Sequence, residues 1–502
     1  MESSQVYRAK HYTFALPNIG RVLNRRRTVV LVVVAAAAAG AAAVGVLSRR
    51  NSSAGPPRTA GVRFAKGVVE GTGTTKVTTV RFGPDGRLYV GQQTGIIRAL
   101  TLERRGPASY RVAASEAIGR LIDVPNHDDD GLENRAVVGR QLTGIEVSGT
   151  AEQPVIYAVT TDPRIGGGPS GVELPLDSNS GVLSRLTRDG DRWSRTDLVR
   201  GLPRSGENHA GNGLVLDPSG SRLFLAQGGN TNSGAPSKHF ANRPEYALSG
   251  AILSIDLAAI GDRTFDLATL DDPARPGTTD AGDPFGGAGG ANQARLVPGS
   301  PVTVHAAGFR NPYDVVLTEA GRLYTIDNGA NPGWGDAPRA AGGRCTNEPR
   351  SGGKRQDDTL HYIRAAGYYG GHPNPTRANP ANLFAGQSPV AAANPVECEF
   401  RPATKSGALT TFPASTNGLV EYRSTAFGGR LAGSLLAAGF DNRIYRMRLR
   451  ADGGLARKEI LFEDVRQVPL DVTAQTDGEA FPGTIWVGDI TDGSITVFEP
   501  TP

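Results

Sequence analysis

The sequence predicts an all-β fold, a six-bladed β-propeller, preceded by one N-terminal hydrophobic helix. Three observations lead there. Gly and Pro, 66 and 34 of 502 residues, approach a fifth of the chain against an average of roughly 12%, without low-complexity repetition. One strand-and-turn signal recurs along the chain, and outside the N-terminal segment no long amphipathic helix is legible.

The recurring signal is a Gly- or Asp-rich turn, a short apolar run, and a small or polar break. Its six copies are Gly86–Val90, Pro154–Val159, Arg222–Ala226, Gly321–Ile326, Gly433–Ala437 and Gly483–Val487. Most follow another apolar strand across a tight turn, as Leu214–Leu216 does before Asp217-Pro218-Ser219-Gly220. Pro restricts φ and Gly supplies positive φ, which is what hairpin turns require. A paired strand repeated six times is the pattern of a propeller, one copy per blade. The stretches 260–300 and 330–400 read as long loops, the second lying between the fourth and fifth blades.

Arg25-Arg26-Arg27 precede an uncharged run from Thr28 to Leu47, long enough to span a hydrocarbon core about 30 Å thick. Basic residues ahead of such a run favour a cytoplasmic N-terminus. The expected organisation is a basic cytoplasmic segment 1–27, a transmembrane signal anchor or signal peptide 28–47, a linker 48–60 and the propeller 61–502. An uncleaved anchor gives a single-pass membrane protein with its domain outside. Cleavage near Ala41-Ala42-Ala43 gives a secreted or periplasmic one.

The net charge of +5 is scattered, with no basic stripe interleaved with aromatics, so nucleic acid is not an expected partner. Cys345 and Cys398 are the only cysteines. In an oxidising compartment they would form a disulfide, stabilising by ~4 kcal/mol in the chain-entropy model; two separate buried thiols are the other reading.

Two motifs carry chemistry. In Glu207-Asn208-His209-Ala210-Gly211-Asn212-Gly213, an imidazole at the start of a strand is suited to abstract a proton from a bound hydroxyl. In Gly308-Phe309-Arg310-Asn311-Pro312, Arg310 presents a planar fork for carboxylate or quinone oxygens, and Asn311 adds a donor and an acceptor. A loop histidine and a structural ion pair are the plainer readings of the same residues. His127-Asp128-Asp129-Asp130 with Glu133 offers carboxylates for Ca²⁺, and Asp177-Ser178-Asn179-Ser180-Gly181 resembles half of a calcium loop. Trp334, Tyr368 and Tyr369 offer rings for sugar stacking or for packing.

Taken with Asp327-Asn328-Gly329 and Tyr368-Tyr369-Gly370-Gly371-His372-Pro373, these motifs resemble the glucose/sorbosone dehydrogenase family over roughly residues 65–498, most closely a branch of exported bacterial members. The resemblance implies a six-bladed propeller holding pyrroloquinoline quinone and Ca²⁺ on its axial face, which oxidises a sugar or alcohol by hydride transfer to the quinone. It makes His209 the general base, with Arg310 and Asn311 against the quinone. Main-chain carbonyls of Gly329 and Ala330 become Ca²⁺ ligands, and Gln141 a further contact. The family's carboxylate-binding cations do not carry over: Asp441, Val468 and Leu470 stand in their places, with Arg443 the one nearby substitute. Two other functions fit the same fold. One is a non-catalytic propeller that binds carbohydrate or a protein. The other is a Ca²⁺-dependent lactonase using Asn212, Asp314 and Asn328.

Overall fold

Each of the six recurrent apolar runs is the second strand of a four-stranded antiparallel blade. The computed structural model describes residues 61–168, 174–270, 284–287, 292–341, 344–383, 388–390, 392–413 and 415–501. The expected cytoplasmic segment, membrane anchor and linker therefore lie outside the described residues. Among the described residues no helix is long and apolar enough to cross a membrane.

Blade 1 comprises Val77–Phe82, Leu88–Gln92, Ile97–Gly106 and Ser109–Ile118. Blade 2 comprises Gln141–Gly149, Pro154–Thr161, Gly181–Asp189 and Arg192–Leu202, with Phe265–Asp266 added at its rim. Blade 3 runs Gly211–Leu216, Arg222–Gln227, Ala251–Asp256 and Val302–Ala307, and Tyr368–Tyr369 extends it in parallel. Blade 4 is Pro312–Leu317, Leu323–Asp327, Asp358–Ile363 and Thr410–Phe412. Blade 5 is Thr416–Tyr422, Ser434–Gly439, Arg443–Leu449 and Leu455–Phe462. Blade 6 takes three strands from the end of the chain, Pro469–Ala474, Ile485–Asp489 and Ile495–Pro500, and its fourth from the beginning, Phe64–Val68. That last pairing, Phe64 opposite Pro500, ties the two ends of the domain together within one blade.

The innermost strands touch in cyclic order, blade 1 to 2 and on to 6, then back to 1. Six apolar clusters fill the six seams between adjacent blades. Tyr89, Ile97 and Ala99 meet Leu142, Ile145 and Ile156 between blades 1 and 2, while Val77, Val80 and Leu88 meet Trp486, Ile495 and Val497 between blades 1 and 6. The ring is held by apolar burial between blades rather than by one central core. At two glycines of the inner strands the neighbouring backbone or side chain comes too close for a methyl group. A methyl group on Gly144 would sit 2.0 Å from the Asn212 carbonyl oxygen, and one on Gly213 would sit 2.1 Å from Asp314 Oδ1. All six inner strands also break register near their starts, as bulges at a functional rim do.

The centre of the ring carries an ionic network that the sequence did not reveal. Arg81 reaches from blade 1 to Asp314 of blade 4 at 3.2 Å and to Asp471 of blade 6 at 2.9 Å. The same carboxylates hold neighbouring inner strands, Asp471 Oδ2 accepting Val80 N–H at 2.7 Å and Asp314 Oδ2 accepting Leu419 N–H at 2.9 Å. Burial pushes Glu146, close to this network, up to about 7.

Cys345 and Cys398 are disulfide-bonded, 53 residues apart. They lie within blade 4, in the loops after its second and third strands, not between blades 4 and 5 as expected. The long loops are insertions inside blades 3 and 4, on either side of the same seam.

Candidate functional site

Every inner strand begins, and every second strand ends, at one end of the ring, so the loops carrying the two chemical motifs meet there. A chain of contacts joins them. Gln141, at the start of blade 2, donates from Nε2 to the carbonyl of Asn208 at 3.1 Å. Gly229, after the second strand of blade 3, donates its N–H to the Arg310 carbonyl at 2.7 Å. Asn212 donates to Asn311 Oδ1 at 2.9 Å, and Asn311 in turn donates to Asn328 Oδ1 at 3.0 Å.

The loop that presents Arg310 is fixed from below by Asp327, the last residue of the second strand of blade 4. Its carboxylate accepts the N–H groups of Arg310, at 3.1 Å, and of Asn311, at 2.8 Å. Burial raises this carboxyl to about 6, and those two N–H bonds work against the shift. Asp489 repeats the device in blade 6, holding Val468 N–H at 2.5 Å.

Arg310 is the electrostatic anomaly of the site. Only 5% of it is exposed; Nε donates to Asn232 Oδ1 at 3.2 Å, and Nη2 is buried with no partner among the described residues. Among the described residues no carboxylate forms an ion pair with it. Burial pulls its affinity for a proton down, while the more distant carboxylates of Glu207, Asp327, Asp358 and Glu245 act in the opposite sense. An unspent N–H on a desolvated cation costs free energy, and an acceptor on a bound molecule would remove that cost.

His209 stands beside the same loops, 5% exposed. Its Nδ1 lies 3.1 Å from the carbonyl of Gly229. A carbonyl only accepts, so Nδ1 carries the proton and Nε2 keeps its lone pair. Glu207 Oε2 is 3.9 Å from Nε2, too far for a hydrogen bond. Burial, and then the positive charge of Arg310, hold His209 well below the ordinary imidazole range, so it is neutral at neutral pH. Gly228 makes this approach feasible. A methyl group there would lie 2.7 Å from Asn311 Oδ1 and 2.9 Å from His209 Cβ. Gly228→Ala is therefore expected to destabilise by about 1–3 kcal/mol and to weaken binding at the site, measured by urea denaturation and calorimetry.

A cavity of about 50 Å³ opens at this end, lined among others by Asn232, Arg310, Asn328, Gly329, Ala330 and His372. Arg310, Gly329 and Ala330 are thus brought together as expected, whereas His209, Asn311 and Gln141 adjoin the cavity through its supporting loops and do not line it. The Ala330 carbonyl accepts Gln356 N–H at 2.9 Å, and Gly329 N–H donates to Asp358 at 2.8 Å. Glu245, in a loop of blade 3, and His372, in the insertion of blade 4, are a pair that sequence reasoning did not single out as chemical. The only signal was the Gly-Gly-His-Pro run.

The residues at 441, 468 and 470, where the resemblance would place carboxylate-binding cations, do not fit a tricarboxylate cofactor such as pyrroloquinoline quinone. Asp441 takes the hydroxyl of Tyr445 at 2.5 Å and lies 3.3 Å from Arg443, which also faces Glu463 at 3.5 Å. Arg443 is therefore committed to acids and is no substitute for a missing cation. Val468 and Leu470 are apolar, and Leu470 is buried.

Other expected metal positions are likewise filled by cations or closed by hydrogen bonds. Arg164 pairs with Asp128 at 2.5 Å and with Asp162 at 2.8 Å, so the carboxylates of 128–133 do not converge. Arg81 occupies the position between Asp314 and Asp471 where a lactonase-type Ca²⁺ would need ligands. Asn212 and Asn328 spend their amides on Pro312 and Thr416 carbonyls. Asp177 is buried, raised to about 7 by that burial, and bound to Asn179 and Gly286 N–H groups. Among the described residues no group of three or more His, Cys, Asp or Glu converges on one point. The rings expected to stack on sugar are packed: Tyr369 donates to the Glu399 carbonyl, Tyr368 bonds His361, and Trp334 stacks on His239.

No family model matches the chain, and no curated protein does. Solved structures do resemble it. A carbohydrate-active enzyme of family AA12 from Trichoderma reesei aligns at 13% identity and TM-score 0.51, covering 91% of this chain and all of that one. The PQQ-bound aldose sugar dehydrogenase of Streptomyces coelicolor aligns at 16% identity and TM-score 0.48, over 89% of this chain and all of that one. The PQQ domain of a pyranose dehydrogenase from Coprinopsis cinerea gives 12% and 0.49, over 87% and 97%. At such identities the likeness shows the six-bladed propeller and nothing finer.

Proposed function

We propose that this chain is a propeller oxidoreductase that oxidises a hydroxyl of a sugar or alcohol at the Arg310 end of its ring, exported and held at the membrane or released from it. One observation carries the reading: a buried guanidinium that lines a cavity keeps its Nη2 without a partner among the described residues, and the loop next to it holds a neutral imidazole whose lone-pair nitrogen is set by a backbone carbonyl. In the proposed reaction His209 Nε2 takes the hydroxyl proton of a bound substrate, and Arg310 Nη2 donates to the oxygen as negative charge grows on it. Asn311 and Gln141 act by positioning those loops. Main-chain carbonyls at Gly329 and Ala330 are suited to a hard cation such as Ca²⁺. The hydride passes to an acceptor of the quinone class, and Asp441, Val468 and Leu470 argue against one anchored by them through three carboxylates. The fold shared with a carbohydrate-active enzyme agrees with a sugar as substrate.

The acidic and apolar side chains at 441, 468 and 470 favour a second reading, a non-catalytic propeller that binds carbohydrate. The full chain, supplied with Ca²⁺, a panel of quinones and an artificial electron acceptor, separates the two over a set of aldoses and alcohols. Carbonyl product with at least one substrate is the expected result. Calorimetric sugar binding without any product would replace oxidation with the binding reading.

A further inference from the structure

We infer that His372, held by Glu245, is a second general base of the cavity, able to take a proton at Nδ1 from a hydroxyl or water bound beside Arg310. The inference rests on the reading that this cavity takes a hydroxyl-bearing ligand. Glu245 is fully buried and fully occupied. Oε2 accepts Asn230 N–H at 2.9 Å and the Ser249 hydroxyl, while Oε1 accepts the Thr231 hydroxyl at 2.6 Å and faces His372 Nε2 at 3.0 Å. Burial pushes this carboxyl up, but the hydrogen bond from His372 and the other donors outweigh it and keep it ionised.

The partners fix the tautomer. A carboxylate only accepts, and Thr231 spends its one proton on Glu245, so the Thr231 oxygen 3.0 Å from Nε2 is also an acceptor. Nε2 therefore carries hydrogen, and in the neutral ring the lone pair is at Nδ1. The backbone is pinned as well, His372 N–H donating to the Gly308 carbonyl at 2.9 Å. His209 is held in the opposite tautomer, with Nδ1 as the donor and Nε2 as the lone-pair nitrogen. In the proposed step an O–H bond breaks and an N–H bond forms at Nδ1. The electron pair stays on oxygen, where Arg310 Nη2 donates to it, and the imidazolium is stabilised by Glu245. No electrons are exchanged in this step.

Diethyl pyrocarbonate, which acylates unprotonated imidazole nitrogen, tests the arrangement without requiring turnover. Peptide mass spectrometry of the full chain should show labelling at His372, slowed by a saturating sugar. In Glu245→Gln, labelling at His372 should fall by about tenfold, as loss of a charge-assisted hydrogen bond implies, with the rate at His305 unchanged. Glu245→Asp, which keeps the charge, should retain more of the rate. Absence of label at His372 while His239 and His305 react would overturn the inference, as would an equal rate at His372 in Glu245→Gln. If neither variant folds, labelling of the wild type decides alone. Labelling without sugar oxidation would leave the dyad standing and remove the oxidation reading; oxidation without labelling would do the reverse.

Discussion

Arg81→Met is expected to destabilise the propeller by about 3–5 kcal/mol at neutral pH, the usual cost of leaving buried charge uncompensated. The side chains of Asp314 and Asp471 are each 3% exposed, and Arg81 bridges them across the axis. Their attraction raises its affinity for the proton above the ordinary guanidinium value, although burial opposes this. Burial in turn raises Asp314, and Arg81 restrains that rise. Without the cation Asp314 ionises in the fold only at a cost. The folded-state value then stands further above the unfolded one, near 3.9 for Asp. The deficit should therefore be full at neutral pH and shrink as pH falls toward 4. Urea denaturation at pH 5 and pH 7.5 measures this. The double variant Arg81→Met with Asp314→Asn should recover more than 1 kcal/mol of the loss. Equal stability of Arg81→Met and wild type at both pH values would show that the network holds nothing together.

Arg310→Met should separate stability from chemistry. A preorganised donor aimed at developing negative charge is worth about 10²–10³ in turnover, and that loss is expected in the variant. Thermal stability should stay level or rise, because methionine removes a buried cation that forms no ion pair. Among the described residues, the bond from Nε to Asn232 is the side-chain hydrogen bond lost. A large fall in melting temperature would instead make Arg310 a structural residue. Calorimetry with the best substrate checks whether binding falls with turnover.

How much of this was legible in the sequence depended on how far apart partners lie. The six second strands could be read because each combines a hairpin turn with a continuous apolar run, both local signals. The inner strands were weaker signals, since their bulges and polar axial residues such as Asn212 and Asp314 break the alternation. His209 and Arg310 stood out because glycines and an Asn-Pro step mark their loops. Arg81 did not, because its partners are 233 and 390 residues away, and nothing near Phe82 suggests a cation on the axis. Glu245 and His372, 127 residues apart, are joined only when the insertion in blade 4 folds back onto blade 3. The cysteine pair was readable as a pair but not as to its place, because blade 4 carries its insertions between its own strands.

The measurement nearest to the central claim is the initial rate of sugar oxidation between pH 5 and 8 for the wild type and His209→Gln. Burial and the charge of Arg310 keep His209 deprotonated well below its ordinary range. The wild-type rate should therefore hold as pH falls through 6.5, with the variant about 10²–10⁴-fold slower throughout. A variant as fast as the wild type would mean that the proton is not taken at residue 209.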